Sequence, residues 1–321
     1  MDPTPAFRFQ PTTPLAPYEP SPPSGPPAPP APPSQPTPPP DLGTLAGLLG
    51  TWTGTGFNTI WRPFNPKSVS DHFLELNVTQ ETLQFDVIEG AIPNRGLLQA
   101  DLLMSGIRYL QQISDANVLV NGQNAGLHIE PGLWLSVPAT TDPALPATVA
   151  RLASIPHGTT IVAQGEATTS AGPPAIPAVS ITPFPVGGGA PVPFAEQTLA
   201  TPSQFRTGAP GIDGVTQPML DNPNNVLTGA GITGVTTTTT LLVSSSDTPV
   251  FGGGTADTAF LQGEPPDGPN ANAVQVDATF WLQTSSSSAT PDVLQYSQRV
   301  LLNFAGLSWP HVTVATLKKQ T

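Results

Sequence analysis

Proline most constrains what this chain can fold into, because it supplies no backbone donor to a helix or a sheet. Of the 43 prolines, 18 lie within residues 1 to 40, in runs such as "PSPPSGPPAPPAPPSQPTPPP". That stretch is read as a disordered or polyproline II tail with few apolar residues to bury. It serves either as a spacer or as a docking tail for a PxxP-reading domain. Regular structure therefore has to come from residues 41 to 321.

From Asp41 onward the pattern changes to short segments rich in Val, Ile, Leu, Thr and aromatics, punctuated by Gly, Pro, Asn and Ser. Candidate strands are "GTWTGTGF", "HFLELNVT", "TLQFDVI", "GIRYLQQISD", "GLHIEPGLWLSVP", "GTTIVAQGEAT", "VTTTTTLLVSSS", "AVQVDATFWLQTS", "LQYSQRVLLNF" and "HVTVATL". One helical turn precedes them at "DLGTLAGLL". About ten strands without intervening helices predict an all-β fold, an antiparallel meander closed into a barrel, and argue against a parallel α/β sheet. Residues 171 to 225 are too rich in Pro and Gly for continuous ladder pairing and are expected to form an insertion or cap. The chain thus divides into a tail, 1 to 40, and a barrel domain, 41 to 321.

Composition removes several function classes. A net charge of −12 with only 10 Lys plus Arg leaves no basic groove for nucleic acid, and an anionic membrane surface would repel the chain. With no cysteine, disulfides, thiolate zinc sites, iron–sulfur clusters and thiolate-ligated haem are excluded. A bound metal would need His, Tyr, Met or carboxylate ligands. The opening "MDPTPAFRFQ" lacks a signal-peptide pattern and no apolar run approaches a membrane span, so a cytoplasmic protein with no membrane partner is expected.

The four histidines carry the candidate chemistry. On a strand alternate side chains share a face, so in "LHIEPGLWL" His128, Glu130, Gly132 and Trp134 point one way and Leu127, Ile129 and Leu133 the other. Either the apolar set faces the core, or the polar set lines a ligand cavity while the insertion or a partner chain covers the apolar set. The second arrangement leaves room for a homodimer. His157 sits in a Pro-His-Gly turn and His72 opens a strand, positions that usually face solvent. His311 follows Trp309 and Pro310 at the start of the last strand, where a rigid neutral imidazole is a good metal ligand. A zinc site from three of these histidines is a further arrangement to test. "GAGITG" at 229 to 234 fits GxGxxG but precedes a threonine-rich strand and not a helix, so nucleotide binding is not expected.

Three stretches together resemble one family, the nitrobindin-like haem-binding β-barrels of the calycin superfamily. "LLGTWTGTGF" is similar to its first-strand GTWxGxG motif, at Gly50, Thr51, Trp52, Gly54 and Gly56. "LHIEPGLW" resembles its HxExGxW strand, "IVAQG" a short following strand that ends at Gln164 and Gly165, and "LSWPHVTVATLKK" its closing segment. The proline tail and the insertion have no counterpart in the resemblance. It implies a calycin-like barrel holding haem b, with His311 as the axial iron ligand and His128 near the haem. The implied ligands are small oxidants or nitrogen oxides: peroxide, nitric oxide or peroxynitrite. The implied reactions are peroxynitrite isomerisation, or a peroxidase reaction in which His128 shuttles a proton and Glu130 orients it. Trp52, Gly54, Gly56, Phe57, Trp134 and Gln164 are expected around the cofactor, and Arg62, with Arg95, is a candidate to pair with its propionates. The non-enzyme alternative is a carrier of a small apolar ligand, lined by Trp52, Phe57, Trp134 and one of the adjacent pair Phe280 and Trp281.

Overall fold

A computed structural model describes residues 41–63, 72–201, 214–246, 251–265 and 268–320. The proline-rich tail lies outside the described residues. A 3₁₀ helix, Gly43–Leu48, leads into ten long strands: β1 Gly50–Pro63, β2 His72–Val87, β3 Leu102–Val120, β4 Gln123–Val137, β5 Thr148–Ile155, β6 Thr159–Ala171, β7 Val235–Ser244, β8 Asn272–Ser285, β9 Val293–Phe304 and β10 Leu307–Lys319. Each pairs antiparallel with its chain neighbours, and β10 returns to pair with β1 from Trp52↔Lys319 to Thr59↔Val312. The sheet is therefore a closed ten-stranded barrel with no long free edge.

Two of the ten expected segments, "HFLELNVT" and "TLQFDVI", are one continuous strand, β2; the polar pair Gln80–Glu81 reads as a break but Glu81 points into the barrel. The strand that replaces it in the count, β5, carries Arg151 at its centre, and a charge in mid-strand hid its alternation.

Alternation divides the side chains into two apolar layers. The inner layer includes Trp52, Leu83, Phe85, Ile107, Trp134, Phe280, Leu294 and Leu317, and Leu45 and Leu48 of the 3₁₀ helix close that end. Trp52 Nε1 donates to the Leu48 carbonyl at 2.6 Å, which fixes the plug to the barrel. The outer layer holds Phe57, Trp61, Leu74, Trp281, Val312 and Val314. The proline-rich insertion covers it through Ile181, Leu220 and Leu227, with Trp61 Nε1 donating to the Ile181 carbonyl at 2.8 Å. Among its described residues the insertion makes a two-residue ladder, Phe184–Pro185 against β10, a 3₁₀ turn, Ala195–Gln197, and two short helices, Gln217–Asp221 and Asn225–Thr228. It is a second wall laid against the outside of the barrel. Among the described residues no helix is long and apolar enough to cross a membrane.

Candidate functional site

The barrel interior is packed at the end closed by Leu45 and Leu48 and hollow at the other. A cavity of about 190 Å³ occupies the hollow end. Aliphatic groups such as Ile155, Ile161, Val276 and Val300 form most of its wall, and His128, His157 and His311 all line it. Register explains the convergence. His128 sits opposite Ile113 on β3, His311 opposite Val300 on β9, and His157 in the turn between β5 and β6. Each strand residue has the parity that points inward.

His311 follows Pro310, and its Nε2 is 3.0 Å from Asn58 Oδ1 on β1, the neighbouring strand. The amide oxygen can only accept, so Nε2 carries the proton and Nδ1 the lone pair. Burial, then repulsion from His128 and His157, pushes the imidazole down to about 3, which keeps it neutral across ordinary pH. His128 and His157 stack with ring centroids 5.5 Å apart. His157 is exposed at the mouth, and burial, then His128, lowers its pKa.

Beneath the histidines lies a charged layer. His128 Nε2 is 3.3 Å from Glu130 Oε2, and the other oxygen of Glu130 accepts from Arg151 Nη2 at 2.5 Å and from the Tyr109 hydroxyl. Arg151 also donates from Nε to Tyr109 Oη at 2.9 Å and from Nη1 to Gln298 Oε1 at 2.5 Å. Its guanidinium carbon stands 5.4 Å from the Phe280 ring centroid and 5.7 Å from that of Tyr109. Burial alone would raise the Glu130 carboxyl, but Arg151 and then His128 outweigh it and hold it at about 2. Beside this layer the Tyr296 hydroxyl donates to Glu81 Oε2 at 2.5 Å and accepts from Gln111 Nε2 at 2.8 Å.

The other residues singled out in the sequence lie elsewhere. Trp52 and Trp134 face inward but belong to the packed end. Gly54 and Gly56 also face inward, at the seam that closes the barrel: a Cβ there would lie 2.1 Å from the Thr316 carbonyl oxygen and 2.3 Å from that of Val314. Phe57 has the opposite parity and packs outward under the insertion, as does Trp281, whereas Phe280 points in. Gln164 likewise faces out, between Thr148 Oγ1 and the Gly252 amide. Arg62 is 53% exposed and paired with Glu75 at 2.8 Å, and Arg95 lies 3.5 Å from Asp101 on the surface, so neither reaches the cavity. His72 joins an outer aromatic cluster with Trp61, Phe194 and Trp309. Among the described residues no group of three or more His, Asp or Glu side chains is placed to hold a metal ion, which removes the three-histidine zinc arrangement.

Sequence reasoning missed His157, Arg151, Tyr109, Tyr296 and Glu81. The available signal was the parity that Glu81 shares with Leu83, Tyr109 with Ile107 and Tyr296 with Leu294, all on the inner face.

The fold and the site define a class: a closed ten-stranded antiparallel barrel whose open end is an apolar cavity lined by histidines above a buried ionic layer. No protein-family model and no curated protein sequence matches the chain. Among solved structures it is similar to Rv2717c from M. tuberculosis, at 14% identity and a TM-score of 0.41, covering 88% of this chain and 100% of that one.

Proposed function

We propose that the cavity binds haem b, with His311 as the iron ligand, and presents it to a small oxidant or nitrogen oxide. The observation that carries this reading is His311 itself: a neutral imidazole on an apolar cavity wall, its tautomer set by Asn58, with a lone pair left for a metal. The three-part motif resemblance to nitrobindin-like barrels supports the same assignment. One ligand from the protein is all that haem iron requires, so the absence of a multi-residue metal cluster among the described residues does not bear on it.

The donor and the apolar wall fit the group, and the volume limits how. Sites that enclose a drug-sized ligand hold roughly 300–1,000 Å³, so a cavity of about 190 Å³ leaves a macrocycle partly outside the mouth. Among the described residues no lysine or arginine lines the cavity, so the guanidinium groups of Arg62 and Arg95 are not placed to meet propionates there. Bound there, the iron supplies a coordination position for peroxide, nitric oxide or peroxynitrite. The chain supplies the rest. His128 is the acid–base group on the cavity wall, and Glu130, pinned by Arg151 and Tyr109, orients it through Nε2 and leaves Nδ1 free to exchange a proton.

A second reading has its own support: the same small, largely apolar volume suits complete enclosure of a small apolar molecule, as in a carrier. Titration of the purified chain with haemin, wild type beside His311→Ala, separates the two. A Soret band saturating at one haem per chain, lost or shifted in the variant, is the expected result. Weak and identical spectra for both proteins would sink haem ligation and leave the carrier.

A further inference from the structure

We propose that Glu81 and Tyr296 form a proton-delivery pair at the cavity wall, Glu81 storing the proton and the Tyr296 hydroxyl passing it to an acceptor atom of the bound ligand. The pair rests on the functional reading above only for the identity of that ligand. Its geometry is independent of haem.

Glu81 is 3% exposed and, among the described residues, no salt bridge is formed by it; it accepts hydrogen bonds from Tyr296 at 2.5 Å and Thr79 at 2.8 Å, with Gln111 as a further partner. A carboxyl buried in this way is costly as an anion and needs a reason to be there. Its hydrogen-bond partner Tyr296 lines the cavity together with Gln111. A path therefore runs from Glu81 to Tyr296 and into the cavity, with the hydroxyl held in place by Gln111 and by stacking on Phe280 at 5.2 Å. Gly56 belongs to the same device, because a Cβ on it would lie 2.8 Å from Glu81 Oε1. Glycine there leaves the room the carboxyl occupies.

The groups that face the pair set its charge. Burial pushes Glu81 up to about 7, while Tyr296, Thr79 and Gln111 as hydrogen-bond partners and His128 by its charge pull it down. Arg151 lowers and Glu81 and Glu130 raise Tyr296, whose burial keeps it far above the usual tyrosine value and hence neutral. The transfer balances as one proton. Beside a protonated Glu81 the shared hydrogen bond reverses, the carboxyl O–H donating to Tyr296 Oη and the Tyr296 O–H turning to the ligand; the two protons then shift together, leaving a carboxylate at Glu81 and a neutral tyrosine that donates to it. Water entering by the cavity mouth, where His157 is exposed, then returns the proton by way of Tyr296.

The test uses the full chain with Glu81→Gln and Tyr296→Phe, both close to isosteric. In the haem-free protein, infrared difference spectra across pH should show a protonated carboxyl lost near neutrality, absent in E81Q and shifted to higher pH in Y296F. In the haem-loaded protein, both variants should retain the Soret band but consume hydrogen peroxide about 10²-fold more slowly below neutral pH, and lose the wild-type fall in rate above it. A carboxyl band that E81Q leaves in place, or that Y296F leaves unmoved, overturns the pair. So do unchanged rate profiles in variants that bind haem. If the wild type binds no haem, the functional reading fails by itself, and the haem-free titration still decides whether Glu81 stores a proton coupled to Tyr296.

Discussion

Glu130 and Arg151 meet inside the barrel with Oε1 and Nη2 2.5 Å apart, and both are buried to within 1% of complete exclusion from solvent. They stand on adjacent strands, β4 and β5, where β5 is joined to the cavity by the His157 turn. The pair connects the stability of the barrel with the orientation of His128.

Removing one partner strands the other charge in a site without water. Arg151→Met or Glu130→Leu should each destabilise the chain by about 3–5 kcal/mol, and the double variant by less than the sum of the two. Urea unfolding of the four proteins measures this. Additive losses would show that the ions do not depend on each other. The pH sign follows from Glu130, held at about 2 against an ordinary 4.5: its stabilisation is full above 4.5 and disappears as pH falls toward 2.

The glycine motif of the first strand has a steric basis at the seam. Gly54→Ala places a methyl 2.1 Å from a backbone carbonyl oxygen of β10, and neither backbone can retreat without opening the barrel. A loss of about 3 kcal/mol, at the upper end for overpacking, is expected in chemical denaturation. Gly126→Ala is the control, since nothing lies within 4 Å of its added carbon. Equal midpoints for the two variants would remove the seam explanation.

Much of this arrangement is legible in the sequence through parity alone. His128, Glu130 and Trp134 share a face in the sequence reading and share the interior in the structure. Parity also held the information that Phe57 opposes Trp52, and that Gln164 opposes Ile161 and Ala163; the motif resemblance drew both toward an expected cofactor against that signal. Arg151 was illegible because a buried charge is stable only when a partner from another strand meets it, and no local pattern reports that partner. His157 was illegible for a related reason. Its turn reads as exposed, which it is, but closure of the barrel places that turn at the mouth of the cavity.

Glu81 and His311 give opposing pH dependences that the wild type conceals. Glu81 is raised from 4.5 to about 7, so the folded chain holds a proton the unfolded chain has released, and stability falls as pH rises through that interval. His311 is lowered from 6.5 to about 3, so the unfolded chain binds a proton the folded one does not, and stability rises with pH through that interval. Between 4.5 and 6.5 the two slopes oppose. In the haem-free protein, Glu81→Gln should expose a rising slope and His311→Gln a falling one. Denaturation midpoints at half-unit pH steps check both, and parallel curves for all three proteins would refute both shifts.

The insertion should behave as part of the core and not as a detachable cover. Leu227, on one of its short helices, is 2% exposed against the outer faces of the barrel strands, whereas Leu242 on β7 is 47% exposed and uncovered. Leu227→Ala should therefore cost about 2–5 kcal/mol, and the chemically identical Leu242→Ala less than about 1 kcal/mol. Tryptophan fluorescence can follow both layers, because Trp61, Trp281 and Trp309 report the outer one and Trp52 and Trp134 the inner. A single transition shifted to lower urea is expected for Leu227→Ala. A separate early transition of the outer tryptophans alone would show that the inner barrel stands without its second wall.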